Sequence, residues 1–154
     1  MKKLLFITIL LISQFALSQK NYWQQHVDYK MVIDVDVEKH TYIGTQRLVF
    51  TNNSPDNLDR VFYHLYFNAF KPGTDLEQNS RYSTDDSRTM SNNILMLDEK
   101  DWGDVQIKSL KQDGVNVKFK IEETILEVEL DKPLGSGAST VLEMEFFVQT
   151  PAMI

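Results

Sequence analysis

The chain has 154 residues, 16 Lys and Arg against 22 Asp and Glu, no cysteine, and 42% hydrophobic residues, the make-up of an ordinary globular domain. Without cysteine there is no disulfide scaffold, zinc ribbon or thiol nucleophile, so histidines and carboxylates are the metal ligands left to consider. A net charge of −6, with the basic residues scattered singly among acids, argues against a nucleic-acid partner.

Met1-Lys2-Lys3 followed by the apolar run Leu4–Ile12, interrupted only by Thr8, reads as a secretory signal too short to span a bilayer. Ala16 and Ser18 place small residues three and one positions before a cut. The expected division is therefore a signal peptide over 1–18 and one domain over 19–154, exported to the periplasm or the medium of a bacterium. With no cysteine at the cut there is no lipid attachment, and no membrane contact is expected after cleavage.

From Tyr29 onward apolar residues recur at every second position, the period of a β-strand. Tyr29, Met31, Ile33, Val35 and Val37 alternate with Lys30, Val32, Asp34 and Asp36, which predicts a half-buried strand. A second strand places Tyr42, Gly44, Gln46, Leu48 and Phe50 on one face and stops at the turn cluster Asn52-Asn53-Ser54-Pro55-Asp56. Val61 to Phe67 is dense in aromatics and apolar on both faces, so it is expected as a central, covered strand. The polar stretch from Lys71 to Asp101 breaks the alternation. Its length predicts a functional loop, a short helix near Ser91 to Leu97 around the island Ile94-Leu95-Met96-Leu97, or a piece that packs on something else, and the preferred reading combines the last two.

Alternation returns at Val105 and Ile107 and reaches a hairpin signal at Asp113-Gly114. A two-residue turn there pairs Leu110 with Val117 but sets Lys108 opposite Phe119. A three-residue loop over Gln112-Asp113-Gly114 sets Ile107 opposite Phe119 and Val105 opposite Ile121, and is the preferred register. Val115, Val117, Phe119 and Ile121 are then the buried face. A turn at Glu122-Glu123 would bring Lys118 opposite Glu127. Leu126, Val128 and Leu130 continue inward until Pro133 and Gly135-Ser136-Gly137, and Leu142, Met144, Phe146 and Val148 form the inner face of the last strand, closed by Pro151.

Chemistry is sparse. His26, His40 and His64 stand singly, and neither His-Glu-x-x-His nor a glycine-rich phosphate loop is present. Asp34 with Asp36, Glu127 with Glu129, and Glu143 with Glu145 share strand faces that the alternation assigns to solvent rather than to a cleft. Asp85-Asp86 and Asp98-Glu99-Lys100-Asp101 lack calcium-loop spacing. Asn52-Asn53-Ser54 fits a glycosylation acceptor but reads better as a turn. No catalytic, cofactor-binding or metal-binding residue is assigned.

Taken in blocks, Tyr29–Val37 with Tyr42–Phe50, then Phe62-Tyr63-His64-Leu65-Tyr66-Phe67-Asn68-Ala69-Phe70, then Thr124–Leu130 through Pro133 and Gly137 to the Phe146 strand, the chain resembles the N-terminal β-domain of the aminopeptidase N-like zinc metallopeptidases, particularly exported bacterial members. Phe67 stands where that family commonly has proline. The resemblance implies an all-β, antiparallel, saddle-like sandwich of about seven or more strands with a helix or loop insertion near 71–101. It implies a non-catalytic scaffold that packs on a zinc-bearing catalytic domain of the same polypeptide, with peptides as substrates of the parent and Lys71–Asp101 and the aromatics near Phe70 as candidate contacts. The chain would then be a fragment or isolated first domain. The alternative is an independent exported β-sandwich that binds carbohydrate or protein, which would require Trp23 or Trp102 to lie flat and exposed.

Overall fold

The computed structural model describes residues 22–82 and 87–152; the signal segment and Asp85-Asp86 lie outside them. Two antiparallel sheets form the body. Strands β1 (His26–Asp36), β2 (Thr41–Thr51), β3 (Leu58–His64), β4 (Asp104–Gln112), β5 (Val115–Asn116), β6 (Phe119–Glu122), β7 (Ile125–Leu134) and β8 (Ser139–Gln149) divide into a five-stranded sheet, ordered β1-β2-β8-β4-β5, and a three-stranded sheet, ordered β3-β7-β6. The expected all-β, two-sheet architecture is therefore observed, with short helices inserted between β3 and β4.

The core sits between the sheets. Tyr42, Gly44, Gln46, Leu48 and Phe50 share one side of β2, and the uninterrupted β2–β8 register sets them against Val148, Phe146, Met144, Leu142 and Thr140. Leu48, Leu142 and Met144 from that face close on Val61, Leu126 and Val128 of the smaller sheet, with Leu65 and Leu110 completing the cluster. Burying apolar side chains of this size contributes about 1.5–3 kcal/mol each, which is what holds two layers together in a chain without disulfides.

The hairpin at Asp113-Gly114 takes the register that the sequence reading set aside. Lys111 pairs with Asn116 and Gln112 with Val115, leaving Asp113 and Gly114 as a two-residue turn. Both have positive φ, 49° and 84°, the geometry of a type I′ turn, which glycine adopts at no steric cost and aspartate tolerates. The objection to this register, Lys108 facing Phe119, dissolves because the chain leaves the sheet. After Val117 N–H bonds to Leu110 O, Phe119 pairs with Val128 in the other sheet. Ile107 and Val105 accordingly face Phe146 and Val148 of β8, not Phe119 and Ile121. The next turn is also shifted by one. Glu122 pairs with Ile125, so Glu123-Thr124 forms the turn and Lys120, not Lys118, lies opposite Glu127. The turn moves by one residue and the pairing by two, so Phe119 and Ile121 keep to the side of Leu126 and Val128 in either register, and only their partners change. On the two edge strands β5 and β6, Val115, Phe119 and Ile121 remain exposed rather than buried.

Three further expectations change. β3 ends at His64 and lies at a sheet edge; Phe62 and Tyr66 point to solvent, and Tyr66–Ala69 form a 3-10 turn. The aromatic density of this stretch thus serves a corner rather than a covered strand. β7 runs through Pro133 to Leu134, which pairs with Leu58. The Lys71–Asp101 stretch contains two helices, α1 (Asp75–Tyr82) and α2 (Ser87–Met96), packed on each other, and the island residue Ile94 is fully buried. α2 includes the short helix expected near Ser91. α1 was not anticipated. Thr74 caps it, and Glu77 Oε2 accepts from Gly73 N–H at 3.1 Å while its other carboxylate oxygen pairs with Arg81.

Candidate interaction surface

Five strands face three, so the smaller sheet covers only part of the larger one. The register places Tyr29 beside Leu48, Met31 beside Gln46, Ile33 beside Gly44 and Val35 beside Tyr42, all on the core side of the sheet. Leu48 and Gln46 are buried, yet Tyr29, Met31, Ile33 and Val35 are 46–59% exposed. The strand expected to be half-buried therefore carries its apolar face bare, because no described element lies over it. A cleft of about 340 Å³ adjoins this flank where the two layers part, lined by Tyr42, Gln46, Tyr63, Tyr66, Phe67 and Phe146 among others. Tyr42 and Phe146 meet edge to face at 6.3 Å, and His64 stacks on Tyr66 at 5.5 Å. Burial pushes the Tyr63 hydroxyl pKa up, with Tyr29 adding to it, so Tyr63 stays a neutral phenol.

One residue of the aromatic-Asn-Ala-aromatic block holds this corner in place. Asn68 is buried; its Oδ1 accepts from Val105 N–H at 2.8 Å, at the start of β4, and its Nδ2 donates to Glu123 O at 3.0 Å, in the β6–β7 turn. A single amide side chain thus joins the 3-10 turn to both sheets. Sequence alternation was blind to it, since the signal is one polar residue flanked by aromatics.

The histidines are not brought together. His26 is exposed, 3.3 Å from Asp28; His40 sits in the β1–β2 turn at positive φ; His64 is on the Tyr66 stack. Among the described residues no group of three or more His, Asp or Glu could hold a metal ion. These side chains are zinc ligands by type, but the described ones are too dispersed to form a zinc site.

The paired carboxylates also stay apart. Asp34, Glu143 and Glu145 are exposed on the outer face of the large sheet. Asp36 binds Lys39 at 2.6 Å, which holds its carboxyl below the ordinary range. Glu127 lies between Lys120 at 3.1 Å and Arg60 at 2.6 Å, and the Lys120 hydrogen bond lowers its pKa, while Glu129 is exposed. Glu99, Lys100 and Asp101 form a 3-10 turn. Asn52 is completely buried, which makes it a structural turn residue and closes it to a glycosylating enzyme in the folded chain. Trp102 is partly buried with its Nε1–H on Leu97 O at 3.2 Å, and Trp23 is about half exposed.

A scan against protein-family models finds no match, and a search of curated proteins finds none either. Solved structures do match. A two-domain M1 zinc metallopeptidase variant bound to L-tryptophan aligns at a TM-score of 0.50 with 16% identity, over 83% of this chain and 21% of that one. An M1 zinc metallopeptidase variant from Deinococcus radiodurans bound to a Tyr-Ser-Ala substrate aligns at 0.50 with 14% identity and the same coverages. At such identity the likeness is one of fold. The chain spans about a fifth of the length of these structures.

Proposed function

We propose that residues 19–154 are the non-catalytic N-terminal scaffold domain of an exported zinc metallo-aminopeptidase, and that residues 1–18 are removed as a signal peptide. The domain packs on a catalytic domain of the same polypeptide, which carries the zinc and acts on peptides. The observation that carries this reading is the exposed core-side flank of β1, Tyr29, Met31, Ile33 and Val35, an apolar stripe one strand away from the aromatic cleft that Tyr42 and Gln46 of β2 help to line. Surfaces of that kind mark contact with another folded unit. The fold likeness to one-fifth of two-domain zinc peptidases, and the resemblance of the Phe62–Phe70 block, support the identity of that unit. The aromatic corner at Tyr66 and Phe67 belongs to the same contact. The helical insertion is a second candidate contact.

The test is the reading frame that contains this chain. Downstream, in frame, it should encode His-Glu-x-x-His with a further distant Glu. A frame closed by a stop codon soon after Ile154 would overturn the reading. The purified chain should hydrolyse no aminoacyl-nitroanilide with or without added zinc, because among the described residues no cluster of His, Asp or Glu gathers around a metal-bound water. Zinc-dependent hydrolysis by the chain alone would equally overturn it.

A further inference from the structure

The open edge of β1 carries a pattern that the scaffold reading does not use. Sheet edges are normally protected by shortness, bulges, prolines or charge. β5 is two residues long, β6 is four residues with Lys120 and Glu122 on it, and β3 has an irregular register between Leu58 and Arg60. β1 is eleven residues, pairs with β2 without a register shift, contains no proline, and no described strand pairs with its other side.

From this edge we infer that the chain forms a two-fold dimer in which β1 pairs antiparallel with β1 of a second copy, centred on Val32. The occupant follows from the side chains. A two-fold axis normal to the sheet opposes residues of like parity, so residues whose N–H and C=O are left free by the β1–β2 ladder face one another, each N–H donating to a C=O of the other copy. Centred on Val32, the register places Lys30 of each copy opposite Asp34 of the other. On the core side it sets Met31 opposite Ile33 and Tyr29 opposite Val35. Lys30 and Asp34 are exposed and, among the described residues, have no ion-pair partner within their own copy. Four residues apart on a strand, they stand about 13 Å from each other and cannot meet without a second strand.

Neighbouring registers are worse. Centred on Met31, Asp28 would face Asp34 and Lys30 would face Val32. Centred on Ile33, Asp34 would face Val32 and Lys30 would compete for Asp36, which already holds Lys39 at 2.6 Å. In the Val32 register Asp28 does face Asp36, and each of those already has a local partner, His26 and Lys39. The dimer joins two five-stranded sheets edge to edge and doubles the bare core-side stripe without covering it.

Sedimentation velocity of the full chain over a concentration series tests this. A monomer–dimer equilibrium is expected. Lys30→Asp or Asp34→Lys, each placing like charges opposite one another twice per dimer, should raise the dissociation constant about tenfold. The double variant Lys30→Asp/Asp34→Lys should return it to the starting value. Val32→Lys, which sets two ammonium groups at the axis, should weaken the dimer by a similar factor, and circular dichroism should show all variants folded. A chain that stays monomeric throughout the series overturns the proposal, leaving the edge for a strand of a different protein. So does a dimer indifferent to the single substitutions, or a charge swap that fails to restore it.

Discussion

Asn52 shows how much a single polar side chain can organise. It is completely buried, its Nδ2 donates to Asp56 O at 2.7 Å and Leu134 O at 3.0 Å, and its Oδ1 accepts from Ser54 N–H, Ser54 Oγ and Gln25 Nε2. These bonds tie the end of β2 to the start of β3, to the end of β7 and to the segment before β1. Asn52→Ala strands several buried groups at once and should cost about 3 kcal/mol in urea unfolding. Asp113 gives a pH-dependent counterpart. Its carboxylate accepts from Val141 N–H at 2.9 Å and Thr140 Oγ1 at 2.8 Å, and these bonds, the Val141 one first, depress its pKa. A group with a lowered folded pKa contributes stability that is complete above its unfolded value, near 4, and is lost as pH falls through the folded value. Stability measured from pH 5 down to pH 2 should therefore fall less steeply in Asp113→Asn, which keeps an acceptor and suits the positive φ, than in the parent chain. An unchanged acid limb would mean that other carboxylates dominate it.

Among the elements, the 3-10 corner after β3 depends on a close backbone approach. A Cβ on Gly103 would stand 2.1 Å from Phe67 O, while the Gly103 N–H donates to Phe70 O at 3.2 Å. Neither group can retreat, since Asn68 fixes the turn between them. Gly103→Ala should cost about 3 kcal/mol or more, visible as a lowered melting temperature with retained β-type circular dichroism below it. Elements differ in how far the sequence betrays them. β2 and β8 were fully legible, because Tyr42 to Phe50 and Leu142 to Val148 alternate cleanly and their buried faces meet. The crossing from β5 to β6 was not. Val115, Val117, Phe119 and Ile121 keep their alternation straight through it, and period two states which side chains share a side, not which sheet they join. α1 escaped because its only aliphatic residue is Leu76 and its one aromatic, Tyr82, stands at its last position; the readable sign was Thr74-x-x-Glu77, the spacing of a capping box.

At the scale of the whole molecule, the candidate surface was half legible. Tyr29, Met31, Ile33 and Val35 declared an apolar face, but alternation looks the same whether a second layer covers that face or stops short of it, and only the count of strands in the smaller sheet reveals that it stops short. The distinction can be measured by comparing a covered position with a bare one in two contexts. Leu126 is fully buried between the layers, so Leu126→Ala should cost about 3–5 kcal/mol in this chain and the same amount in a longer polypeptide that carries the proposed second domain. Ile33 lies opposite Gly44 on the open flank. Ile33→Asp should cost the monomeric chain about 1 kcal/mol, the scale of strand propensity at a half-exposed position. Joined to a unit that covers the flank, the same substitution buries an unpaired carboxylate against apolar neighbours and should cost at least about 2 kcal/mol, read by urea unfolding of the two proteins side by side. Equal and small costs in both contexts would show that the flank stays in solvent after the second unit is attached, and the proposed partner domain would then have to meet this chain elsewhere, with the Lys71–Asp101 insertion as the remaining candidate contact.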